Sequence, residues 1–450
     1  MFHPHRSHLA KRAQIAVLGN PVRDAYLAVE GVNLLADRIR FHAGAAAFDI
    51  AYRGEPLRFG EKRYAQEDLS CLDLTSFTIR NGGGVYHTAT QMAHLCRQRA
   101  LPIAFCALDL VEPWPELRAA YAEWGIQHRS LGVERGVTNL ILTNGQPERL
   151  ILKSPLAPVA LTPAQQAALR QQLPTRLDLL VVNSLHAVDL ARTVMDEAQR
   201  RRVPQYSVLT PSLALDARLE LQLWRDRASV CNLSEFALIA DAFGLDCPRH
   251  EEDAAVRDVA AVMWALATKS RTGDLVVTLG SRGCVVANQG RGTVHHVALA
   301  DTYRQQVQAH VQAEPARKNG VGDRFFGAFV LAHAFGNFHG ADRTASAARW
   351  AALAMARQLA PGLNPTRDWM KLTPVPSGSG RGLLRKAYRY SAAFGQAKPV
   401  AAAVAEERLG AIELFGRWFD KLDAFGLQCL VGLLTTCRGP NPATHRAGCQ

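Results

Sequence analysis

Residues 318–329 read KNGVGDRFFGAF, which joins a glycine-rich turn to the start of an apolar helix. Phe325, Phe326 and Phe329 recur at helical spacing, so the sequence predicts a helix with one buried face. The amino end of such a helix presents backbone N–H groups that have no partner within the helix. These donors and the helix dipole favour negative charge, and glycine lets a bulky anion approach the backbone closely. The stretch therefore predicts a phosphate-binding turn.

Asp323 lies in the first turn of this predicted helix. An acidic residue there has a simple structural explanation, because it complements the helix dipole. The alternative is that the carboxylate acts on a ligand held by the glycine turn. Both explanations remain open on this stretch alone.

The chain before this helix alternates regularly between helical and strand patterns from residue 163 to residue 279. Alternation of this kind predicts a parallel sheet with helices on both faces. The predicted helices are 163–173, 187–201, 235–243 and 254–268, and the predicted strands are 177–183, 205–209, 229–233 and 274–279. A hairpin over 285–299 and a long helix over 341–360 complete this half of the chain.

The amino-terminal half begins with a short apolar strand, 14–18. Strand-like segments at 45–52, 57–59 and 76–80 are separated by polar turns, and they predict a small antiparallel flap within about residues 40–80. Further expected elements are helices over 84–100 and 113–124 and strands over 103–110, 138–143 and 149–153, the last two joined by the turn Asn144-Gly145.

Three further motifs each allow a structural and a functional explanation. The triple glycine Gly82-Gly83-Gly84 either forms a tight strand-to-helix turn or lets a ligand lie against the backbone. Asn232 to Glu235 (NLSE) either caps a helix or places oxygen ligands suited to Mg²⁺ at the carboxyl edge of the sheet. Thr278 to Gly283 (TLGSRG) is either a hairpin turn or a second phosphate cradle.

Taken in order, these motifs resemble those of the ribokinase-like carbohydrate kinases, the phosphofructokinase-B type family. That family has an early Gly-Gly motif beside the sugar, an Asn-x-x-Glu motif near the metal, a Thr-x-Gly-x-x-Gly loop at the nucleotide, and a Gly-Ala-Gly-Asp signature opening a late helix. The resemblance covers roughly residues 14–365. It implies an α/β fold, a three-layer αβα sandwich with a mostly parallel central sheet and a small β-lid.

The resemblance also implies roles for individual residues. Asp323 would be the base that takes the proton from a sugar hydroxyl, and the N–H groups of Gly320, Val321 and Gly322 would form the anion hole. Glu235, with Asn232, would hold Mg²⁺ beside ATP. A monovalent cation is a further cofactor that the resemblance allows. The remaining implied contacts are to the nucleotide (Asn232, Thr278, Gly280, Gly283 and Asn319) and to the sugar (Asp24, Gly82, Gly83, Gly84 and His87).

The chain departs from the family pattern at two places. His87 stands where the family usually has a sugar-contacting asparagine, which implies a changed substrate. Arg317-Lys318 stands where the family usually has Asp-Thr. We expect Asp301-Thr302, at the end of the preceding strand, to be the missing pair, and 303–318 to be a polar helical insertion that adds a basic flank to the anion site.

The part of the chain that carries the resemblance is flanked by other segments at both ends. We expect a disordered arm at 1–12, the kinase domain at 13–372, a linker at 373–382 (TPVPSGSGRG) and a helical C-terminal extension at 383–450. The apolar helix of the extension is expected to pack on the core or on a second subunit. The resemblance implies a homodimer formed through the lid strands.

Charge and cysteine usage narrow the class of protein. The net charge of +12 is dispersed, which suits an anionic substrate such as a nucleotide, and the absence of a basic stripe interleaved with aromatics argues against nucleic acid. No run approaches the ~18 apolar residues of a membrane helix. The nine cysteines are odd in number and include no Cys-x-x-Cys pair, which predicts reduced thiols in a cytoplasmic protein.

The sequence thus predicts an ATP-dependent, Mg²⁺-requiring kinase acting on a hydroxyl of a sugar or sugar-like molecule. One alternative is a nucleoside kinase or an ADP-dependent kinase of the same superfamily. Another is a catalytically weakened binding or regulatory protein on a kinase scaffold. Four basic residues near the expected sugar side either receive a phosphorylated sugar or form a solvated surface: Arg23, Lys62, Arg63 and Arg80.

Overall fold

The structure of the protein is a computed structural model. It describes residues 13–34, 38–43, 46–52, 62–134, 137–144, 149–154, 161–183, 188–209, 227–249, 255–270, 273–288, 292–336, 338, 342–363 and 370–374. The predicted arm at 1–12, the strand-like segment 57–59 and the extension at 383–450 lie outside these ranges.

Within the described ranges, the central sheet has ten strands in the order β18-β17-β16-β15-β14-β13-β12-β1-β8-β9. Neighbouring strands from β15 through β1 to β9 run parallel, whereas β16, β17 and β18 are added antiparallel at one edge. The sheet therefore confirms the predicted α/β class with a mostly parallel centre. Its strands are β1 Ala13–Gly19, β8 Ile103–Val111, β9 Ile126–Glu134, β12 Leu179–Asn183, β13 Gln205–Val208, β14 Ala228–Asn232, β15 Asp274–Thr278, β16 Cys284–Asn288, β17 Thr293–Leu299 and β18 Met370–Pro374.

Helices cover both faces of this sheet, because its strands carry apolar residues on both sides. In β1, Ile15 and Val17 join one apolar cluster, whereas Ala16 and Leu18 join the other. Phe326 packs in the first cluster and Phe236 in the second, so the three layers are helix, sheet and helix. The helices are α1 Gly84–Gln98, α2 Pro115–Trp124, α3 Pro163–Gln172, α4 Val188–Arg200, α5 Leu233–Ala242, α6 Val256–Ser270, α7 Asp301–Ala313, α8 Val321–Phe335 and α9 Arg343–Leu359.

The lid is larger than the sequence indicates and is not purely antiparallel. In the described part of the chain it comprises a five-stranded sheet, β6-β11-β10-β2-β7, and a three-stranded sheet, β3-β4-β5. Strands β10 and β2 pair in parallel, as do β11 and β6, so the hairpin predicted near Asn144 belongs to the lid. The strands are β2 Val22–Ala28, β3 Gly31–Leu34, β4 Arg38–Ala43, β5 Ala46–Ala51, β6 Lys62–Tyr64, β7 Thr78–Gly82, β10 Val137–Thr143 and β11 Arg149–Lys153. Its apolar side packs around Phe41, Ile50 and Leu140.

Three further details correct the expectations from sequence. Asp301 and Thr302 begin α7 and do not end a strand, since β17 stops at Leu299. The Asp301 side chain is 72% exposed and forms an ion pair of 3.0 Å with Arg304, one helical turn later. This ion pair stabilises the first turn of α7. Strand β9 was not predicted, and the first two residues of the expected linker lie in β18, which pairs with β17.

The segment 303–318 is helical over most of its length, as predicted, and its status as an insertion stays a prediction. Helix α7 reaches Ala313, and a short 3-10 turn follows over Pro315–Lys318. Val307 and Val311 pack against Ala356 and Ala360 at the carboxyl end of α9.

The described cysteine thiols are unreactive because they are buried. The thiols of Cys96, Cys106, Cys231, Cys247 and Cys284 are reduced and buried. Burial raises the pKa of the Cys96, Cys247 and Cys284 thiols to about 12, so these thiols stay protonated near neutral pH. None of the helices in the described ranges has the length and apolar character needed to span a membrane.

Candidate active site

The glycine turn before α8 depends on the backbone of Gly320. Gly320 caps the helix with φ 66° and ψ 11°, in the left-handed region that favours glycine. A Cβ at this position would also lie 2.4 Å from Cδ2 of His87. The first helical hydrogen bond runs from Arg324 N to Gly320 O at 2.8 Å. The N–H groups that precede it therefore face outward at the helix end.

Asp323 is held in place by two buried polar side chains. Asn183, the last residue of β12, donates from Nδ2 to Oδ1 of Asp323 at 3.1 Å and to Oγ1 of Thr88 at 2.8 Å. Thr88 in turn donates to the main-chain oxygen of Asp323 at 3.1 Å. A Cβ on Gly84 would lie 2.0 Å from Oδ1 of Asn183, so the glycine at the start of α1 makes room for this amide.

Sequence reasoning missed Asn183 and Thr88. Asn183 ends the fully buried strand sequence LLVVN, and a polar residue at the carboxyl end of a parallel strand is the signal that could have found it. Thr88 lies one turn after the triple glycine and carries no motif of its own. The structure places both residues next to the carboxylate that the sequence singled out.

Asp24 forms the core of a second polar group at the end of the lid sheet. Its carboxylate accepts hydrogen bonds from Nδ2 of Asn139 at 3.0 Å and from Nδ2 of Asn319 at 2.9 Å. Burial raises the pKa of Asp24, although both amides and Arg149 act in the opposite direction. A Cβ on Gly82 would lie 2.2 Å from Asp24 Oδ2, so the missing side chain of Gly82 leaves room for the Asp24 carboxylate.

Asn319 belongs to the Asp24 group. Besides Asp24, its amide contacts the hydroxyl of Tyr26, whose pKa burial raises to about 12. The resemblance gave Asn319 to the nucleotide, whereas here its side chain lies with the residues expected to face the sugar.

His87 is a buried imidazole without hydrogen-bond partners among the described residues. Its side chain is 5% exposed, and neither ring nitrogen has a partner. Burial lowers the pKa of His87 to about 3, and the charges of Arg324 and Arg149 act in the same direction. The ring is therefore neutral, with one nitrogen able to donate and the other able to accept.

The Asn232 to Glu235 motif forms a complete helix cap. Asn232 Oδ1 accepts from Glu235 N at 2.8 Å, and Glu235 Oε2 accepts from Asn232 N at 3.3 Å. Thr278 is the register partner of Asn232 on the neighbouring strand, and its hydroxyl donates to Cys231 O at 3.4 Å. The strand ends thus bring both predicted nucleotide motifs to one edge of the sheet.

A pocket of about 260 Å³, the inner pocket, joins these groups. It gathers predicted residues from both halves of the chain, namely Asp24, Gly83, Gly84, His87, Asn232, Glu235, Thr278, Asn319, Gly320, Val321, Gly322 and Asp323. Three predicted glycines are not in its lining, namely Gly82, Gly280 and Gly283. Gly280 opens a short 3-10 turn, and Gly283 packs against Val297 of β17, as the hairpin-turn explanation expects. The contacts of these two glycines with a nucleotide stay a prediction.

Basic side chains line the inner pocket from two directions. Arg149 and Lys153 of β11 reach it from the lid, and no sequence motif pointed to either. Lys318 lines it from the turn before α8, as predicted. Arg317 does not, because it pairs with Glu314 at 2.5 Å and donates to Gln358 O at 3.4 Å. The basic flank on this pocket is therefore Lys318, together with the two lid residues.

A wider cleft of about 810 Å³, the outer cleft, meets the inner pocket at His87 and Asn319, which line both. Its walls carry the aromatic residues Tyr26, Tyr86 and Trp114 and the arginines Arg23, Arg80 and Arg324. The side chains of Lys62 and Arg63, also predicted near the sugar, lie outside the described residues.

No protein-family profile and no curated protein matches this chain in sequence. Solved structures do match it. Ribokinase from Giardia lamblia superposes with a TM-score of 0.50 at 17% identity, covering 80% of this chain and 95% of that one. Phosphofructokinase-2 from Escherichia coli in complex with potassium superposes with a TM-score of 0.50 at 14% identity, covering 78% and 94%. At such low identity the likeness shows the fold, and the fold is ribokinase-like.

Proposed function

We propose that this protein, which has the ribokinase-like fold, is a kinase that transfers the γ-phosphoryl group of ATP to a hydroxyl of a carbohydrate or carbohydrate-like acceptor. One observation carries the proposal. The carboxylate of Asp323, oriented by Asn183, lies in the same pocket as the glycine turn of α8 and the strand-end residues Asn232 and Thr278. Phosphoryl transfer needs this combination, because it relies on positioning and charge stabilisation more than on covalent chemistry.

Asp323 acts as the general base. The hydrogen bond from Asn183 to Asp323 stabilises the ionised carboxylate and fixes its direction, so the proton of the acceptor hydroxyl has a defined destination. A positioned base of this kind contributes about 10²–10⁴ in rate.

The backbone N–H groups of Gly320, Val321 and Gly322 form the anion hole. They precede the first helical hydrogen bond of α8 and border the inner pocket. Charge that builds on the transferred phosphoryl group is stabilised by these fixed dipoles, and losing one such donor typically costs about 3–4 kcal/mol. Lys318, Lys153 and Arg149 add positive charge around the same pocket.

The residues on the strand edge fit a nucleotide with Mg²⁺. Among the described residues no group of three His, Cys, Asp or Glu side chains could hold a metal alone. Mg²⁺ commonly takes only one or two protein carboxylates and completes its shell with phosphates and water. Glu235, with Asn232 beside it, offers that donor set, and the bound ion would neutralise phosphate charge. The monovalent cation stays a prediction.

A coupled assay of phosphoryl transfer tests this function on the full chain. ATP and ADP are each offered with Mg²⁺ and a panel of hexoses, pentoses, sugar phosphates, sugar acids and nucleosides, and reactions without acceptor serve as controls. We expect acceptor-dependent ADP release from ATP with a carbohydrate. Turnover restricted to nucleosides, or to ADP as donor, would replace the acceptor or donor assignment. Nucleotide binding with no transfer to any acceptor would contradict the kinase assignment and favour the binding-protein alternative.

A further inference from the structure

The outer cleft has a strong excess of positive charge. Arg23, Arg80 and Arg324 line it, and Glu116 is the acidic residue in its lining. Within the described part of the chain, none of these arginines has a carboxylate within salt-bridge distance. An ordinary solvated surface can carry the same excess of arginines. The positions of the individual side chains therefore decide between a solvated surface and a binding site for an anion.

Arg324 is the least expected of these residues. It follows Asp323 in the first turn of α8, where the helix dipole disfavours a cation. Its side chain is half-buried, and burial lowers its pKa, whereas the neighbouring Tyr86, Asp323 and Tyr26 act in the opposite direction. A partly buried guanidinium without an ion pair is costly, and an anionic ligand would remove that cost.

Arg23 and Arg80 are held by aromatic rings. The guanidinium of Arg23 lies 5.1 Å from the ring centroid of Trp114, and that of Arg80 lies 5.2 Å from the ring centroid of Tyr26. Trp114 is itself fixed by a hydrogen bond from Nε1 to Asn81 Oδ1 at 2.8 Å. Stacking of this kind orients the planar guanidinium and leaves its fork of N–H donors suited to phosphate or carboxylate.

His87 supplies an independent sign of a ligand at the junction of the two cavities. It lines both, is 5% exposed, and has two ring nitrogens without partners among the described residues. Buried polar atoms are nearly always hydrogen-bonded, and leaving one unpaired costs free energy. A polar molecule that extends from the inner pocket into the outer cleft would satisfy this ring.

Building on the proposed kinase function, we infer that the acceptor is an acidic carbohydrate whose anionic group, a phosphate or a carboxylate, binds Arg324, Arg23 and Arg80 in the outer cleft. Its reacting hydroxyl then lies at Asp323, and the intervening part of the molecule passes His87. Arg324 determines specificity, because it directly follows the base on α8 and couples the position of the anion to that of the hydroxyl.

Matched acceptors test this inference. Fructose, fructose bearing a phosphate monoester on its terminal carbon, and gluconate are compared as acceptors by kcat/KM and as ligands by isothermal titration calorimetry. We expect at least one anionic probe to exceed fructose about tenfold or more in both measurements, since hydrogen bonds to charged groups are the stronger kind. The better of the two anionic probes identifies phosphate or carboxylate as the recognised group.

Arg324→Gln is the decisive variant. It should reduce the preference for the anionic probe over fructose by about tenfold or more, and Arg324→Lys should restore part of that preference because it keeps the charge. Arg23→Gln offers a second test at a residue outside the helix. Arg257→Gln is the matched control, since Arg257 is 77% exposed on α6, away from the cleft lining.

The outcomes separate this inference from the kinase assignment. Transfer to fructose as efficient as to both anionic probes, with an unchanged preference in Arg324→Gln, would overturn the acidic-acceptor inference and leave the kinase function standing. Tight, Arg324-dependent binding of an anionic probe without phosphoryl transfer would support the anion site and contradict the kinase function.

Discussion

Gly320 shows most directly how one residue shapes the candidate site. Its left-handed backbone starts α8, and its missing side chain leaves room for the ring of His87. Asp323 and the outward N–H groups depend on that start, because any change of the turn moves the first residues of the helix.

Gly320→Ala should therefore impair both stability and turnover. A non-glycine residue at φ 66° costs about 1–3 kcal/mol, and the contact of 2.4 Å with His87 adds strain. Urea denaturation and steady-state kinetics measure the two effects. Gly31→Ala is the control, because a Cβ at Gly31 in β3 meets nothing within 4 Å. Equal stability and activity of Gly320→Ala and the wild type would contradict this account of the turn.

Residues with a motif were predictable from sequence, and residues without one were not. Asp323, Gly320 and Glu235 belong to recognisable patterns, and the structure brings them into one pocket. Arg149 lines the same site through long-range packing that no local pattern encodes, whereas Asn183 supports it from the carboxyl end of a buried strand, where a polar residue is a local signal. The positive charge that Arg149 brings to this pocket is therefore recognised only in the folded chain.

Helix α7 and the short turn after it explain how Lys318 reaches the inner pocket. Helix α7 packs on α9 through Val307 and Val311, and Arg317 ties the following turn to Glu314 and Gln358. This anchoring leaves Lys318 at the inner pocket, beside the proposed anion hole.

Lys318→Gln should weaken nucleotide binding without unfolding the protein. We expect the nucleotide Kd to rise about tenfold or less, and its dependence on ionic strength to decrease, because an exposed charge is screened by salt. Calorimetric titration at two salt concentrations measures both effects. Arg304→Gln on α7 serves as control. A Lys318→Gln protein that binds nucleotide as the wild type does would rule out this role for Lys318.

Elements with strong local patterns were predicted well, and their pairings across long distances were not. The buried strand residues Leu180 to Val182 and the alternation around them indicated the parallel sheet directly. The lid pairs Val22 with Val137 in parallel, across a sequence separation that periodicity does not report. Strand β9 pairs with the preceding strand β8 but was missed, because its sequence IQHRSLGVE has neither the apolar run nor the strict alternation that predicts a strand.

The free energy of unfolding of the whole protein should depend on the ionisation of Asp109. This residue ends the central part of β8, is fully buried, and accepts a hydrogen bond from the hydroxyl of Tyr121 at 3.0 Å. Burial raises the pKa of Asp109 from 3.8 to about 7, with Tyr121 acting against the shift and Glu112 reinforcing it. The native state therefore binds this proton more tightly than the unfolded state does.

The sign of the effect follows from that difference. The unfolding free energy should fall as the pH rises from about 4 to about 7, because the unfolded chain releases the proton first. Asp109→Asn should remove this dependence and be the more stable protein near pH 8, by at most about 4 kcal/mol.

Urea denaturation of both proteins between about pH 5 and about pH 8 checks this prediction. Asp258→Asn is the control, since that carboxylate is 55% exposed on α6. Parallel pH profiles for Asp109→Asn and the wild type would show that Asp109 is not the group responsible.

Asp323→Asn tests the assignment of Asp323 as the catalytic base, and the measurement is single-turnover phosphoryl transfer with a carbohydrate acceptor. The amide keeps the shape of the side chain but cannot take the acceptor proton. We predict a rate reduced about 10²–10⁴-fold with nucleotide affinity and thermal midpoint close to those of the wild type. A transfer rate equal to that of the wild type would contradict the assignment of Asp323 as the base.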